Sequence, residues 1–306
     1  MIDAPISQNQ NPTVQVIQKL VRSLETRTPW GLRRAVEKDR KADDAHRPAY
    51  ARADRDTFRF FELSSDAPAR IEDLVPGDEV QTSRGPAWLS LRPLASFWSP
   101  LPSMPEPVED RIWFDIETCG GRGQPGFLVG AVYFESGEWW LWQALARDKS
   151  EEPALMEMVT DLVERRPRLV SYSGSKNDWP FLAGRWRHFN MSVPTHKDHL
   201  DLFDAAAAMY RGVLPSCRLV TLEHHLCARW READLPSGFI PQAYNEWLEH
   251  RDGRLLAQVM LHNALDVVCL LELEPFLTAP WSPLPPRVVP VDPVVIEVPG
   301  IRSPSV

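Results

Sequence analysis

The stretch RIWFDIET, residues 111–118, decides the reading of this chain. A strand turns successive side chains to opposite faces, so Phe114 and Ile116 share one face while Asp115 and Glu117 share the other. Two acids on one face of an otherwise apolar strand are costly to bury unless a positive charge pairs with them. A divalent cation is the natural partner, because carboxylate oxygens suit Mg²⁺ and Mn²⁺.

Working outward, FLVGAVYF (127–134) and EWWLWQAL (138–145) are apolar, aromatic and β-branched runs set off by glycine-containing turns. With RIWFDIET they read as three consecutive antiparallel strands. A helix follows, with Leu155, Met156, Val159, Leu162 and Val163 on one face. RLVSYSG (168–174) reads as a buried strand, a helix starts near Asp178, HLDLF (199–203) reads as a short strand, and 204–278 is largely helical. A three-stranded meander followed by αβαβα resembles the ribonuclease H-like order. The expected class is α/β, with a mixed five-stranded sheet, three strands antiparallel and two parallel, flanked by helices.

The remainder reads as appendages. Residues 1–12 read as disordered, 13–43 are spaced for an amphipathic helix, and 57–95 (FRFFEL, EVQTS, AWLSL) suggest a small β-rich element. A Pro-rich bridge at 97–108 and a Pro-rich tail from 280 hold many of the 29 prolines. The expected division is a partly disordered N-terminal extension at 1–105, the domain with the ribonuclease H-like order at 106–279 and a disordered tail at 280–306.

A net charge of −8 argues against a protein that coats nucleic acid by charge alone, since such binding is driven by Lys and Arg displacing counterions. It does not exclude a nuclease, whose bound ions neutralise its acids locally. Between Lys19 and Arg55 eleven basic residues face six acidic ones, so a nucleic-acid arm is one reading there and a solvated helix the other. The four cysteines show no paired spacing and read as free thiols. No leader and no stretch approaching a membrane span is legible, which gives a cytoplasmic expectation with no membrane partner.

Two further segments carry acids. Asp178, in SYSGSKNDWPFL, falls at a helix start, where a carboxylate is favoured by the helix dipole; a plain cap is the competing reading. In HNALD (262–266), His262 and Asp266 share a helical face. Alone, that spacing is more often a surface pair. Together, Asp115 and Glu117 on a strand, Asp178 at a strand-to-helix junction and His262 with Asp266 on a late helix fit a two-metal phosphodiesterase.

Segment 111–278 resembles the YprB-like family of predicted exonucleases, within the ribonuclease H-like superfamily and allied to DEDD exonucleases. The matching stretches are FDIETCG, GFLVGAVYF, LVSYSGSKNDWPFL, HLDLFDAA, LPSCRLVTLEHHL, SGFIPQAY and HNALDVVCL. The resemblance implies that Asp115, Glu117, Asp178 and Asp266 hold two Mg²⁺ or Mn²⁺ ions, that His262 is the general base, and that Thr118 helps to seat the nucleotide. It implies 3′–5′ exonuclease activity on DNA or RNA. Ser173 and Asn177 depart from the family's usual Asn and Phe. The four-residue spacing of His262 and Asp266 is the one usual for enzymes with Tyr at this place.

Lys176, Arg185, Arg187 and Arg218 could grip phosphates, and Trp179 could stack on a base, with surface charge and packing as the plain alternatives. Asp201 is either a strand-end cap or a carboxylate beside the site. The spacing of Cys217, His224, His225 and Cys227 fits no zinc motif. Two rival functions remain, a non-catalytic nucleic-acid-binding scaffold and a structure-selective endonuclease.

Overall fold

A computed structural model describes residues 68–98, 108–121, 123–227, 229, 231 and 234–278. The helix expected at 13–43, the FRFFEL piece and the Pro-rich tail lie outside the described residues. Seven strands form one sheet: β1 (Asp78–Thr82), β2 (Gly85–Pro93), β3 (Arg111–Thr118), β4 (Gly126–Glu135), β5 (Glu138–Leu145), β6 (Arg168–Ser171) and β7 (Asp198–Asp201). Their spatial order is β1-β2-β5-β4-β3-β6-β7. β3, β4 and β5 form the antiparallel meander, while β6 runs parallel to β3 and β7 parallel to β6.

The expected five strands are therefore corrected to seven. The β1–β2 hairpin, read from sequence as part of an N-terminal extension, pairs with β5 from Trp88 opposite Leu145 to Pro93 opposite Trp140. Alternation within EVQTS and AWLSL marks strands, but it carries no information about a partner some fifty residues away.

The helices are α1 (Ile71–Leu74), α2 (Leu94–Phe97), α3 (Glu152–Arg165), α4 (Asp178–His188), α5 (Leu202–Tyr210), α6 (Leu219–Leu226), α7 (Ile240–His250) and α8 (Gly253–Thr278), with a 3₁₀ turn at Ser237–Phe239. They cover both faces of the sheet. On one face Ile112, Phe114, Val129 and Trp142 pack with Leu155, Val159 and Leu162 of α3 and with Leu182 and Trp186 of α4. On the other, Trp113, Val132 and Leu141 pack with α8 and with Leu202 and Leu222 of α5 and α6. Each such side chain, fully buried, contributes roughly 1.5–3 kcal/mol.

α8 is buried nearly all round, which is why its sequence lacks a clear polar face. By length and composition it would suffice to cross a membrane, contrary to the expectation that no stretch approaches that length. Within the fold 78% of the relevant window is buried, as in the central helix of a packed domain.

Candidate active site

β3 pairs with β4 on one edge and β6 on the other, and helices cover both its faces. Strand alternation directs Trp113, Asp115 and Glu117 toward α8, and Glu117 is only 8% exposed. The α8 turn at 262–266 lies over them, and Asn263 Nδ2 donates to Asp115 Oδ2 at 3.1 Å. A register shift between Glu117 and Thr118 ends the regular pairing with β4. Such bulges re-aim side chains at sheet rims.

Asp178 is the first residue of α4, with Asn177 in the cap position. The turn before it needs glycine: a Cβ on Gly174 would lie 2.5 Å from Ser171 Oγ and 2.8 Å from Asp178 Oδ2. Asp201 secures the same turn, accepting from Ser173 N at 2.7 Å and from Ser175 N at 3.2 Å while capping α5 through Phe203 N at 3.1 Å. Both readings of Asp201, cap and carboxylate beside the site, describe it. The two departures from the family pattern meet here. Ser173 has φ 63°, and Asn177 Nδ2 donates to its carbonyl at 3.0 Å and to its hydroxyl at 3.1 Å.

The acids share one electrostatic neighbourhood. Burial, then Glu117, Asp266 and Asp178, hold the Asp115 carboxyl well above the usual carboxylate range. Burial, then Asp266 and Asp178, push Glu117 up to about 8 against the pull of His262. Burial, then Asp201 and Asp266, push Asp178 up to about 7. Each shift reports a buried negative charge with too little positive charge nearby.

Three residues that the sequence reading passed over complete the neighbourhood. The Arg231 guanidinium, 6% exposed, gives Nε to Glu223 Oε2 at 2.7 Å and Nη1 to Asp234 Oδ2 at 2.9 Å and Asp266 Oδ1 at 2.5 Å. His262 Nδ1 lies 2.5 Å from Asp234 Oδ1, and its Nε2 lies 3.5 Å from Asp266 Oδ2. Burial opposes the charged imidazole, but Asp266 and Asp234 outweigh it and raise His262 to about 10. Asp234, against its own burial, is held down at about 2 by His262 and Arg231. Glu223 is pushed up to about 7 by burial, despite Arg231.

Residues 112–278, more than half of the chain, match the family model described as RNase_H superfamily. The chain belongs to the RNase H superfamily. No curated protein matches it. Among solved structures it resembles the family B DNA polymerase from the hyperthermophilic archaeon Pyrobaculum calidifontis, at 16% identity and a TM-score of 0.44. That match covers 63% of this chain and 29% of the polymerase chain.

The donor set of this RNase H-superfamily domain suits a divalent cation. Among the described residues, six carboxylates (Asp115, Glu117, Asp178, Glu223, Asp234 and Asp266) gather around one guanidinium and one imidazole, an excess that positive charge would relieve. Among the described residues, however, no group of three or more His, Cys, Asp or Glu converges closely enough to hold an ion. The orientations give the reason. Asp266 is turned to Arg231 and His262, and one oxygen of Asp115 is engaged by Asn263.

The remaining candidates scatter. Thr118 Oγ1 donates to Gly120 O at 2.8 Å, within the loop that follows β3. Lys176 pairs with Asp204 at 2.5 Å on the exposed surface. Trp179 packs 4.6 Å from the His196 ring and 5.3 Å from Trp186. Arg218 occupies the cap position of α6. Arg185 is buried against Glu152, with contacts of 2.6 and 2.7 Å, and so belongs to the fold. Asp234, Arg231 and Glu223 carry no periodic sequence signal; only their residue types, on either side of Cys227, could have drawn attention.

Proposed function

We propose that this RNase H-superfamily protein is a metal-dependent nuclease of the DEDD, YprB-like kind, hydrolysing phosphodiester bonds of DNA or RNA from the 3′ end. The observation that carries the reading is the unbalanced, largely sequestered cluster of acids gathered around β3. Asp115, Glu117, Asp178 and Asp266 are the residues that would hold Mg²⁺ or Mn²⁺, two ions in all. Bound there, the ions supply positive charge against the charge that develops on phosphodiester oxygens, and they make water a stronger acid.

The chain's own groups orient and exchange protons. Asp234 engages Nδ1 of His262, leaving Nε2, beside Asp266, as the atom through which a proton is given or taken. Asp201 fixes the turn that carries Asp178. Thr118, Lys176, Trp179 and Arg218 remain candidates for holding the nucleic acid.

One observation favours a second reading, a non-catalytic nucleic-acid-binding protein on the same fold: Arg231 already partners Asp266 where an ion would bind. End-labelled single- and double-stranded DNA and RNA, incubated with Mg²⁺, Mn²⁺ or EDTA, separate the two. A ladder shrinking from the 3′ end in the metal lanes is expected. Binding without cleavage in every lane would establish the second reading.

A further inference from the structure

The strand register aligns a row of residues across four strands. Asp115 pairs with Gly130, Gly130 with Gln143, and Gln143 with Ser90. Gln143 and Asn263 are both 0% exposed, which is unusual for amides unless their hydrogen bonds are made. Gln143 Nε2 donates to Asn263 Oδ1 at 3.0 Å and to Met260 O, on the same turn of α8, at 2.7 Å. Asn263 Nδ2 in turn donates to Asp115, at 3.1 Å to Oδ2 and 3.3 Å to the main-chain O.

The row has an aperture. A Cβ on Gly130 would overlap the Asn263 amide, so only glycine at that point of β4 lets the amide lie against Asp115. Polarity runs one way along the chain of bonds. Because Gln143 presents donors, Asn263 must present its oxygen to Gln143 and its nitrogen to the carboxylate.

We infer that Asn263 and Gln143 are positioning residues for Asp115, an amide relay that fixes which carboxylate oxygen is engaged by the protein and which is left for a cation. The inference rests on the metal-dependent reading of the same site. It assigns to β5, well away from the acids, control over a ligand on β3. Ser90, at the far end of the row, is 1% exposed. Ser90 Oγ and Gln143 Oε1 have no hydrogen-bond partner among the described residues, which leaves that end of the relay open.

The test is Mn²⁺ affinity, measured by electron paramagnetic resonance on the full chain without nucleic acid, alongside the thermal midpoint. Removing groups that orient a metal ligand typically costs about 10–100-fold in affinity, and Asn263→Ala is expected to fall in that range. Gln143→Met keeps the volume and removes the donors. Gln143→Glu replaces donor by acceptor and so turns the Asn263 oxygen toward Asp115. The relay predicts a larger loss for Gln143→Glu than for Gln143→Met, although neither side chain touches Asp115. In the wild type, the Asn263 side-chain amide protons are expected to resist hydrogen exchange.

Mn²⁺ affinity within about twofold of wild type in folded Asn263→Ala or Gln143→Met would overturn the relay alone, since losing a group that orients a metal ligand costs far more. If these variants do not fold, the exchange measurement on the wild type decides, and unprotected Asn263 protons overturn the inference. A wild type that binds no Mn²⁺ sinks the metal reading and the relay together.

Discussion

Two buried groups of charges lie on opposite faces of the sheet, and they are built differently. On the α3 face, Glu152 meets Arg185 through two parallel contacts of 2.6 and 2.7 Å, and Gly126 N donates to the same carboxylate at 2.8 Å. One negative charge has one positive partner and a spare donor. On the α8 face, Glu223, Asp234 and Asp266 share Arg231, Asp234 and Asp266 also flank His262, and Asp115, Glu117 and Asp178 lie beside them with no cation pairing to them among the described residues. α8 repeats the contrast along its own length. Glu272 is matched by Arg229 and Trp98, and Glu274 by Arg111 and Trp113, whereas Asp266, about two turns earlier, competes with two other acids for one guanidinium. Matched buried charge locks helices together. Unmatched buried charge marks the place where something from outside completes the balance.

The comparison can be broken at its strongest point. Asp115→Asn removes charge without volume, so cleavage is expected to drop to background while the thermal midpoint in EDTA stays level or rises. Unchanged turnover would remove Asp115 from the site. His262→Ala is expected to slow single-turnover cleavage about 10²–10⁴-fold with Mn²⁺ affinity preserved. A near-wild-type rate would leave His262 as packing only.

Breaking the matched pair should have the opposite character. Arg185→Ala strands Glu152, 1% exposed, and is expected to cost about 3–5 kcal/mol in urea unfolding while Mn²⁺ affinity holds. A loss below about 1 kcal/mol would put that pair with weak surface bridges.

The two faces should also differ in their response to pH. Glu117 and Asp178, raised to about 8 and about 7, bind protons in the folded protein that the unfolded chain has already released. In EDTA their contribution is lost as pH rises from about 4 to 8, and divalent ions should flatten that slope. His199, which lies against Phe114 on the α3 face and bonds Ser171 Oγ at 2.7 Å, is lowered to about 4 by burial, then by His196. Unfolded histidine takes up its proton near 6.5, so this contribution is complete above that pH and lost as pH falls toward 4. Urea midpoints of His199→Gln should lack the acid-side loss; curves parallel to the wild type would contradict the assignment. The smallest effect is at Ser173, whose left-handed backbone favours Asn. Ser173→Asn is expected to gain less than the roughly 1–2 kcal/mol that a left-handed residue costs, in the same unfolding experiment.

Much of this was legible in the sequence, for identifiable reasons. Strand period two reveals which residues share a face, so Asp115 and Glu117 could be paired from RIWFDIET alone, and β3 to β7 follow the expected order. Periodicity says nothing about partners distant in the chain. For that reason β1 and β2 read as an extension, and Asn263, lying between His262 and Asp266, did not stand out. Asp234 and Arg231 are placed by tertiary contacts between α6 and α8, and no local pattern encodes such contacts. The His262 reading needed the structure most, because only the fold shows that Asp234 as well as Asp266 flanks the ring and that the two together raise it to about 10.

The β1–β2 hairpin also bears on how the chain keeps itself apart from its neighbours. β5 is EWWLWQAL, with three tryptophans in eight residues, and β2 covers its outer edge. The edge then passes to β1, five residues long, mostly polar and half-exposed (DEVQT). Short, charged edge strands resist pairing with other molecules, whereas long, flat, apolar ones invite it. A chain cut at residue 105 would keep every acid of the site and uncover that tryptophan-rich edge, so its first failing should be self-association, visible as concentration-dependent light scattering.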